Sequence, residues 1–277
     1  VTTNAELGRL QGKVALVTGA TQAMGEAIAL RLCRSGAIVV GVGRSHELGE
    51  SVAERLCEQG HTATFVRADV SLEADVAAAV QSASERFGRL DIVVNNAAAF
   101  DARESAAHLE STETFDAILK VGLYAPFWFA KYAAPVMIGA RNGGLFVNIS
   151  SYAGSRGIKG MPAYSASKGG LEALTRQIAA EYALDGIRAN ALVLGSIAVP
   201  RNMALHDDEG ISAAYRRARM TERVGEPNDV AAMVEFLASD DGGFITGASI
   251  DIDGGLLAKA PVVTTMNQMK ASEAPRS

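Results

Sequence analysis

Short, nearly continuous apolar runs rich in β-branched residues recur at Val14–Val17, Ile38–Val42, Thr62–Val66, Ile92–Val94, Leu145–Ile149, Ala189–Leu194 and Ala248–Ile252. Each is too short for a helix and apolar on both faces, which predicts strands covered on two sides. Between them, apolar positions return at helical spacing. Gly25–Ser35 is Ala/Leu-rich, Glu47–Gln59 carries Leu48, Val52 and Leu56, and Glu73–Phe87 carries Val76, Val80 and Phe87. Asp69-Val70-Ser71 reads as the cap signal that opens the last of these. Thr114–Met137 and Pro162–Leu184 are long and apolar on more than one face, and Pro162 and Gly186 punctuate the second. Pro227 opens a further helix, with Val230, Val234 and Phe236 behind it.

Strands alternating with helices predict an α/β fold. The expected form is a doubly wound parallel sheet of about seven strands, flanked by helices on both faces. No composition break divides the chain, so residues 1–277 are read as a single domain with a core at about 10–256. Two segments stand outside the rhythm: Pro200–Glu222, charged and helix-compatible, and the aperiodic tail from Leu256 to Ser277.

Composition narrows the function classes. A net charge of −5 argues against a basic nucleic-acid stripe or a polybasic membrane surface. No run of 18 apolar residues and no basic-then-apolar leader is present, so a cytoplasmic location is expected. Cys33 and Cys57 lack metal-ligand spacing and are expected to be small buried residues; no metal is expected.

The first strand runs into Thr18-Gly19-Ala20-Thr21-Gln22-Ala23-Met24-Gly25 and then a helix. Glycines permit a tight turn, and a helix N-terminus offers free N–H groups to a pyrophosphate. Gly19, Thr21, Gln22, Met24 and Gly25 are therefore candidate cofactor contacts. After the second strand comes Gly43-Arg44-Ser45-His46, with no acidic residue to accept a ribose hydroxyl. Arg44 and Ser45 suit a 2′-phosphate instead. Tyr164 and Lys168 stand four residues apart on one helix face, and Ser151 follows the fifth strand, thirteen residues before the tyrosine. Moving a hydride at a carbinol carbon requires a proton to move at its oxygen. Tyrosine, with an ordinary pKa of about 10, needs help to act as a base at neutral pH. Lys168 is expected to lower the Tyr164 pKa, and Ser151 to hold the substrate oxygen.

With its T-G-x-x-x-x-x-G loop, Asn95-Asn96-Ala97-Ala98, Ser151 and Tyr164-x-x-x-Lys168, the chain resembles the short-chain dehydrogenase/reductase family over about residues 10–256. The resemblance implies a Rossmann-type fold and NADP(H) as the preferred cofactor, with NAD(H) possible. It implies a small carbonyl or alcohol substrate, and a homo-oligomer, a tetramer or dimer, paired through the two long helices. It also places Asp69 and Val70 beside an adenine, Asn96 and Ala97 along the cofactor, and Gly195 and Ile197 at the nicotinamide, while Asn95 ties strands together. For Asp69, a plain role at the helix start is an equal alternative.

Five positions depart from the family pattern: Ala23, Ala98, Gly122, Leu194 and Val199. Gly122 stands where the family's tetrad has asparagine, so Gly122→Asn is expected to change turnover modestly and to raise stability. The departures keep other readings open. One is a catalytically weak member acting as a cofactor sensor or scaffold, another an epimerase or dehydratase on the same fold. Substrate lining is expected from Ala99–His108, Tyr152–Gly160 and Pro200–Glu222, with Phe100, Tyr152, Met161 and Met203 giving a partly apolar pocket.

Overall fold

The computed structural model describes residues 8–100, 103–203 and 209–259. Seven strands form one parallel sheet: β1 (Val14–Thr18), β2 (Ile38–Gly43), β3 (Ala63–Arg67), β4 (Ile92–Asn95), β5 (Gly144–Ser151), β6 (Ile187–Leu194) and β7 (Ser249–Ile252). Their spatial order is β3-β2-β1-β4-β5-β6-β7, so the winding reverses between β1 and β4. Eight α-helices accompany them among the described residues: α1 (Ala23–Arg34), α2 (His46–Glu58), α3 (Glu73–Phe87), α4 (Thr112–Leu119), α5 (Ala125–Ala140), α6 (Pro162–Glu181), α7 (Glu209–Ala218) and α8 (Pro227–Ala238). All seven expected strands form, each within two residues of its expected ends.

Strand alternation builds two cores. Ala15 and Val17 of β1 join Ile28 and Leu32 of α1 and Val230 and Val234 of α8 on one face. Val14 and Leu16 join Val76 and Val80 of α3, Phe129 and Met137 of α5 and Ile178 of α6 on the other. Both faces are dry, which is why these strands read as unbroken apolar runs. At the C-terminal ends of the central strands the polar residues are pinned. Asn95 Nδ2 donates to Asn148 Oδ1 at 2.7 Å, and Asn148 Nδ2 donates to Thr175 Oγ1 of α6 at 2.8 Å. Asn95 does tie neighbouring strands.

Several expectations need correction. The helix expected over Thr114–Met137 is two helices joined by a π-helical turn at Lys120–Tyr124. Pro126 has no N–H to give the Gly122 carbonyl four residues earlier. The chain widens there, and the Ala125 N–H bonds the Lys120 carbonyl five residues back. The cap signal before α3 is also displaced: Leu72 is the cap residue. Asp69 Oδ1 instead accepts from the Ser71 backbone N–H and hydroxyl, and Asp75 Oδ2 accepts from the Asp69 N–H. Cys33 is buried, with burial raising its thiol to about 12, but Cys57 is exposed near the C-terminal end of α2, whose buried side is Val52 and Leu56. Pro200–Glu222 contains a 3-10 turn at Pro200–Asn202 and α7. Residues 204–208 within it, and the tail beyond 259, lie outside the described residues.

Candidate active site

The reversal of winding between β1 and β4 leaves a crevice at the carboxyl ends of the strands, where open α/β sheets bind ligands. A cavity of about 1000 Å³ occupies it. Ser151, Tyr164 and Lys168 line this cavity, as do Gly19, Thr21, Gln22, Met24, Gly25, Arg44, Ser45, Asp69, Val70, Asn96, Ala97, Gly195 and Ile197. Every candidate site residue is thus brought to one space.

Its β1–α1 edge is backbone held close. Gly19 has φ +66°, and a Cβ on Gly25 would sit 2.0 Å from the Gly19 carbonyl oxygen. Ala23, in place of the family's middle glycine, holds the same left-handed region at φ 49°. A methyl is therefore tolerated there, at a cost of about 1–2 kcal/mol. No side chain caps α1, so its first N–H groups have neither a helical nor a side-chain acceptor. Asn96 Nδ2 donates to the Thr18 carbonyl at 2.8 Å, while its Oδ1 is buried without a partner. An uncapped helix N-terminus beside an orphaned amide oxygen suits a pyrophosphate and its ribose.

Beyond β2, the exposed Arg44 makes no ion pair or hydrogen bond among the described residues. Ser45 is the cap residue of α2, yet its hydroxyl makes no cap bond. Asp69 feels Arg44: burial pulls its carboxyl up, but the Ser71 hydrogen bonds and the Arg44 charge together hold it below the usual carboxylate range.

At the opposite end, β5 and α6 position the reacting groups. Lys168 is buried, and its Nζ donates to the Ile149 carbonyl at 2.7 Å and lies 5.6 Å from the Tyr164 ring centroid. Burial, assisted by the Arg201 charge, lowers its pKa to about 8. Tyr164 differs from expectation. Burial pushes its phenol above the ordinary value, while the Ser151 side chain and the Arg201 charge pull it down and Glu104 adds to the rise. Two cations thus flank Tyr164: Lys168, whose ammonium lies over its ring while donating to the Ile149 carbonyl, and Arg201, whose charge also pulls the phenol down.

Three residues went unrecognised or half-recognised in the sequence. Glu104 Oε1 accepts from the Tyr164 backbone N–H at 2.8 Å, in the first turn of α6. The Phe100 and Tyr164 ring centroids are 4.7 Å apart, tilted by 36°. Arg201 Cζ lies 3.5 Å from the Phe100 ring centroid. Of the expected lining segments, Ala99–His108 contributes Ala99 and Phe100, and Pro200–Glu222 contributes Pro200, Arg201 and Asn202. Tyr152–Gly160, Met161 and Met203 do not line the cavity. Tyr152 is instead hydrogen-bonded to Tyr215, and Met161 precedes α6 as its cap residue.

A family model described as enoyl-(acyl carrier protein) reductase matches residues 19–257. A probable short-chain type dehydrogenase/reductase of Bradyrhizobium diazoefficiens is 38% identical, over 96% of this chain and 95% of its own. The chain belongs to the short-chain dehydrogenase/reductase family. A 3-oxoacyl-[acyl-carrier-protein] reductase of Thermotoga maritima is 35% identical, over 90% of this chain and 99% of its own. The crystal structure of gox2181 matches with a TM-score of 0.86 and 31% identity, over 93% of this chain and 100% of that one. The protein is accordingly a short-chain dehydrogenase/reductase enzyme acting between CH–OH and C=O groups, and the family uses NAD(P)(H). Among the described residues no helix is long and apolar enough to cross a membrane.

Three further family departures, at Leu194, Val199 and Gly122, have local reasons. Leu194 pairs in register with Ser151 and Ile252, a ladder position whose N–H a proline would remove. Near Val199, where the threonine hydroxyl is missing, Asn202 closes the turn: its Nδ2 donates to the Ile197 carbonyl and its Oδ1 accepts the Val199 N–H. Gly122 is buried, and a Cβ there would lie 2.7 Å from Ser167 Oγ and 2.9 Å from Ser167 Cβ. This reverses the stability expectation for Gly122→Asn. Overpacking against a fully buried residue costs about 1–3 kcal/mol, so both Gly122→Ala and Gly122→Asn should lower the thermal midpoint by several degrees in calorimetry.

Proposed function

We propose that the protein is an NADP(H)-preferring oxidoreductase that interconverts a small carbonyl compound and its secondary alcohol. One observation carries the reading: a single cavity runs from Arg44 and Ser45 to Ser151, Tyr164 and Lys168. The nicotinamide cofactor, when bound, supplies or accepts the hydride. The α1 N-terminus and Asn96 would hold its pyrophosphate and ribose, Asp69 and Val70 its adenine, and Gly195 and Ile197 its nicotinamide, all of them lining the one cavity. Gly195 has no room for a side chain, since a Cβ would meet Asp253 Cα at 2.6 Å.

Ser151 donates a hydrogen bond to the substrate oxygen and aligns it with the Tyr164 hydroxyl. Tyr164, protonated at neutral pH, gives its proton to that oxygen when a carbonyl is reduced. Lys168 holds positive charge beneath the tyrosine ring and stabilises the phenolate left behind. The reading includes a cytoplasmic location and a homo-oligomer, tetramer or dimer, built on α5 and α6. Exposed Tyr124, Phe127 and Ile138 on and beside α5 favour such an assembly.

The test is absorbance at 340 nm with a graded panel of ketones and aldehydes, NADPH and NADH in parallel. NADPH is expected to be favoured at least about tenfold in kcat/KM, the scale of about 1.4 kcal/mol. Arg44→Asp should reverse the preference, by repelling a 2′-phosphate and offering the ribose an acceptor. Equal use of both cofactors by the unmodified protein overturns the assignment of Arg44.

A further inference from the structure

Arg201 is an exposed cation lining the cavity, with no charged or hydrogen-bonded partner among the described residues. It does not pair with Glu104, whose carboxylate accepts the Tyr164 N–H, nor with Glu113 or Asp116, which line the same cavity from α4. Among the described residues it makes no ion pair and no hydrogen bond; its guanidinium rests only on the face of Phe100, 3.5 Å from the centroid. Phe100 stacks in turn on Tyr164. The guanidinium is therefore one aromatic ring away from the proposed proton donor. Burial lowers its pKa from the ordinary arginine value, as expected of a cation partly removed from water, and its charge acts on both Tyr164 and Lys168.

A guanidinium whose carbon sits over a ring face spends no N–H on that contact, so its donors stay available for a carboxylate, which they bind through two parallel hydrogen bonds. We propose that Arg201 is a specificity-determining residue that binds an anionic group of the substrate, a carboxylate or its equivalent, about one ring's length from the reacting carbonyl. This deepens the oxidoreductase reading and rests on it. An alternative anion, the cofactor's pyrophosphate, is less well placed: the uncapped N-terminus of α1 already provides for it. Binding a carboxylate at Arg201 would also offset the cation that acts on Tyr164 and Lys168, so the substrate's charge and the acid–base group are coupled.

The test uses aryl carbonyl acids, phenylglyoxylate and 4-formylbenzoate, each beside its neutral methyl ester. In the unmodified protein the acid should exceed its ester at least about tenfold in kcat/KM for one pair, a ratio one charge-assisted pair accounts for. Arg201→Leu should bring that ratio to about 1, chiefly through KM of the acid, and Arg201→Lys should restore part of it. Calorimetric titration with benzoate, which cannot be reduced, gives a second readout. Binding to the unmodified protein and none to Arg201→Leu sustains the proposal even if no carbonyl compound in the panel is turned over, an outcome that would count against the oxidoreductase reading alone. Equal use of acid and ester, an unchanged ratio in Arg201→Leu, weakened NADPH binding as its main effect, or absence of benzoate binding would each overturn it.

Discussion

Tyr164→Phe is expected to lower kcat for carbonyl reduction by about 10²- to 10⁴-fold, while cofactor affinity stays nearly intact. The substitution removes one hydroxyl and keeps the ring. Phe100 retains its stacking partner, the Tyr164 N–H keeps Glu104 Oε1, and Lys168 keeps its bond to the Ile149 carbonyl. No fold-level loss therefore accompanies the chemical one. What disappears is the proton that must reach the substrate oxygen, a contribution of about 3–5 kcal/mol to the barrier. Single-turnover decay of NADPH absorbance, with fluorescence titration of NADPH, separates the two quantities. Retention of more than about a tenth of the rate would remove Tyr164 from the acid–base role. Because burial raises the phenol above its ordinary pKa, the protonated form dominates at neutral pH. The reductive direction should therefore persist to alkaline pH in the unmodified protein.

The sheet was legible because its physics is local. A strand buried on both faces must be apolar throughout, and each run from Val14–Val17 to Ala248–Ile252 carries that signature. Runs ended early where a polar residue continues the ladder: Asn95 closes β4, and Ser150 and Ser151 close β5. Ser151, Tyr164 and Lys168 were legible because two of them share one helix and the third ends an adjacent strand. The π-turn was not legible. Thr114–Met137 reads as one helix by periodicity, and the missing N–H of Pro126 matters only once the helix must continue past Gly122. The Arg201–Phe100–Tyr164 stack was not legible at all. Its members come from three separate segments, and nothing in the spacing of residues 100, 164 and 201 announces that the fold joins them. The hydrogen-bond partner of Lys168 was not legible for a related reason. Spacing put the two on one face, but the Ile149 carbonyl, contributed by β5, turns the ammonium toward itself.

Lys168→Met is expected to abolish most turnover and at the same time to stabilise the fold. The ammonium is buried, donates to the Ile149 carbonyl, and has no carboxylate partner among the described residues. Its pKa of about 8, against an ordinary 10.5, means that holding the charge inside the folded protein costs about 3 kcal/mol at neutral pH. Methionine fills similar volume without that charge, although the Ile149 carbonyl loses a donor, at about 1–3 kcal/mol if nothing replaces it. The net gain should be up to about 2 kcal/mol, a rise of up to a few degrees in thermal midpoint. The pH dependence carries the sharper signature. Between pH 8 and 10.5 the unfolded chain holds the Lys168 proton while the folded protein releases it, so stability should rise with pH across that window and fall as pH returns toward 8. In Lys168→Met this part of the slope should vanish, a difference read from urea midpoints at pH 7 and pH 9.5. A variant that is less stable than the parent at both pH values would mean that the ammonium holds β5 and α6 together, and that Lys168 is first a structural residue.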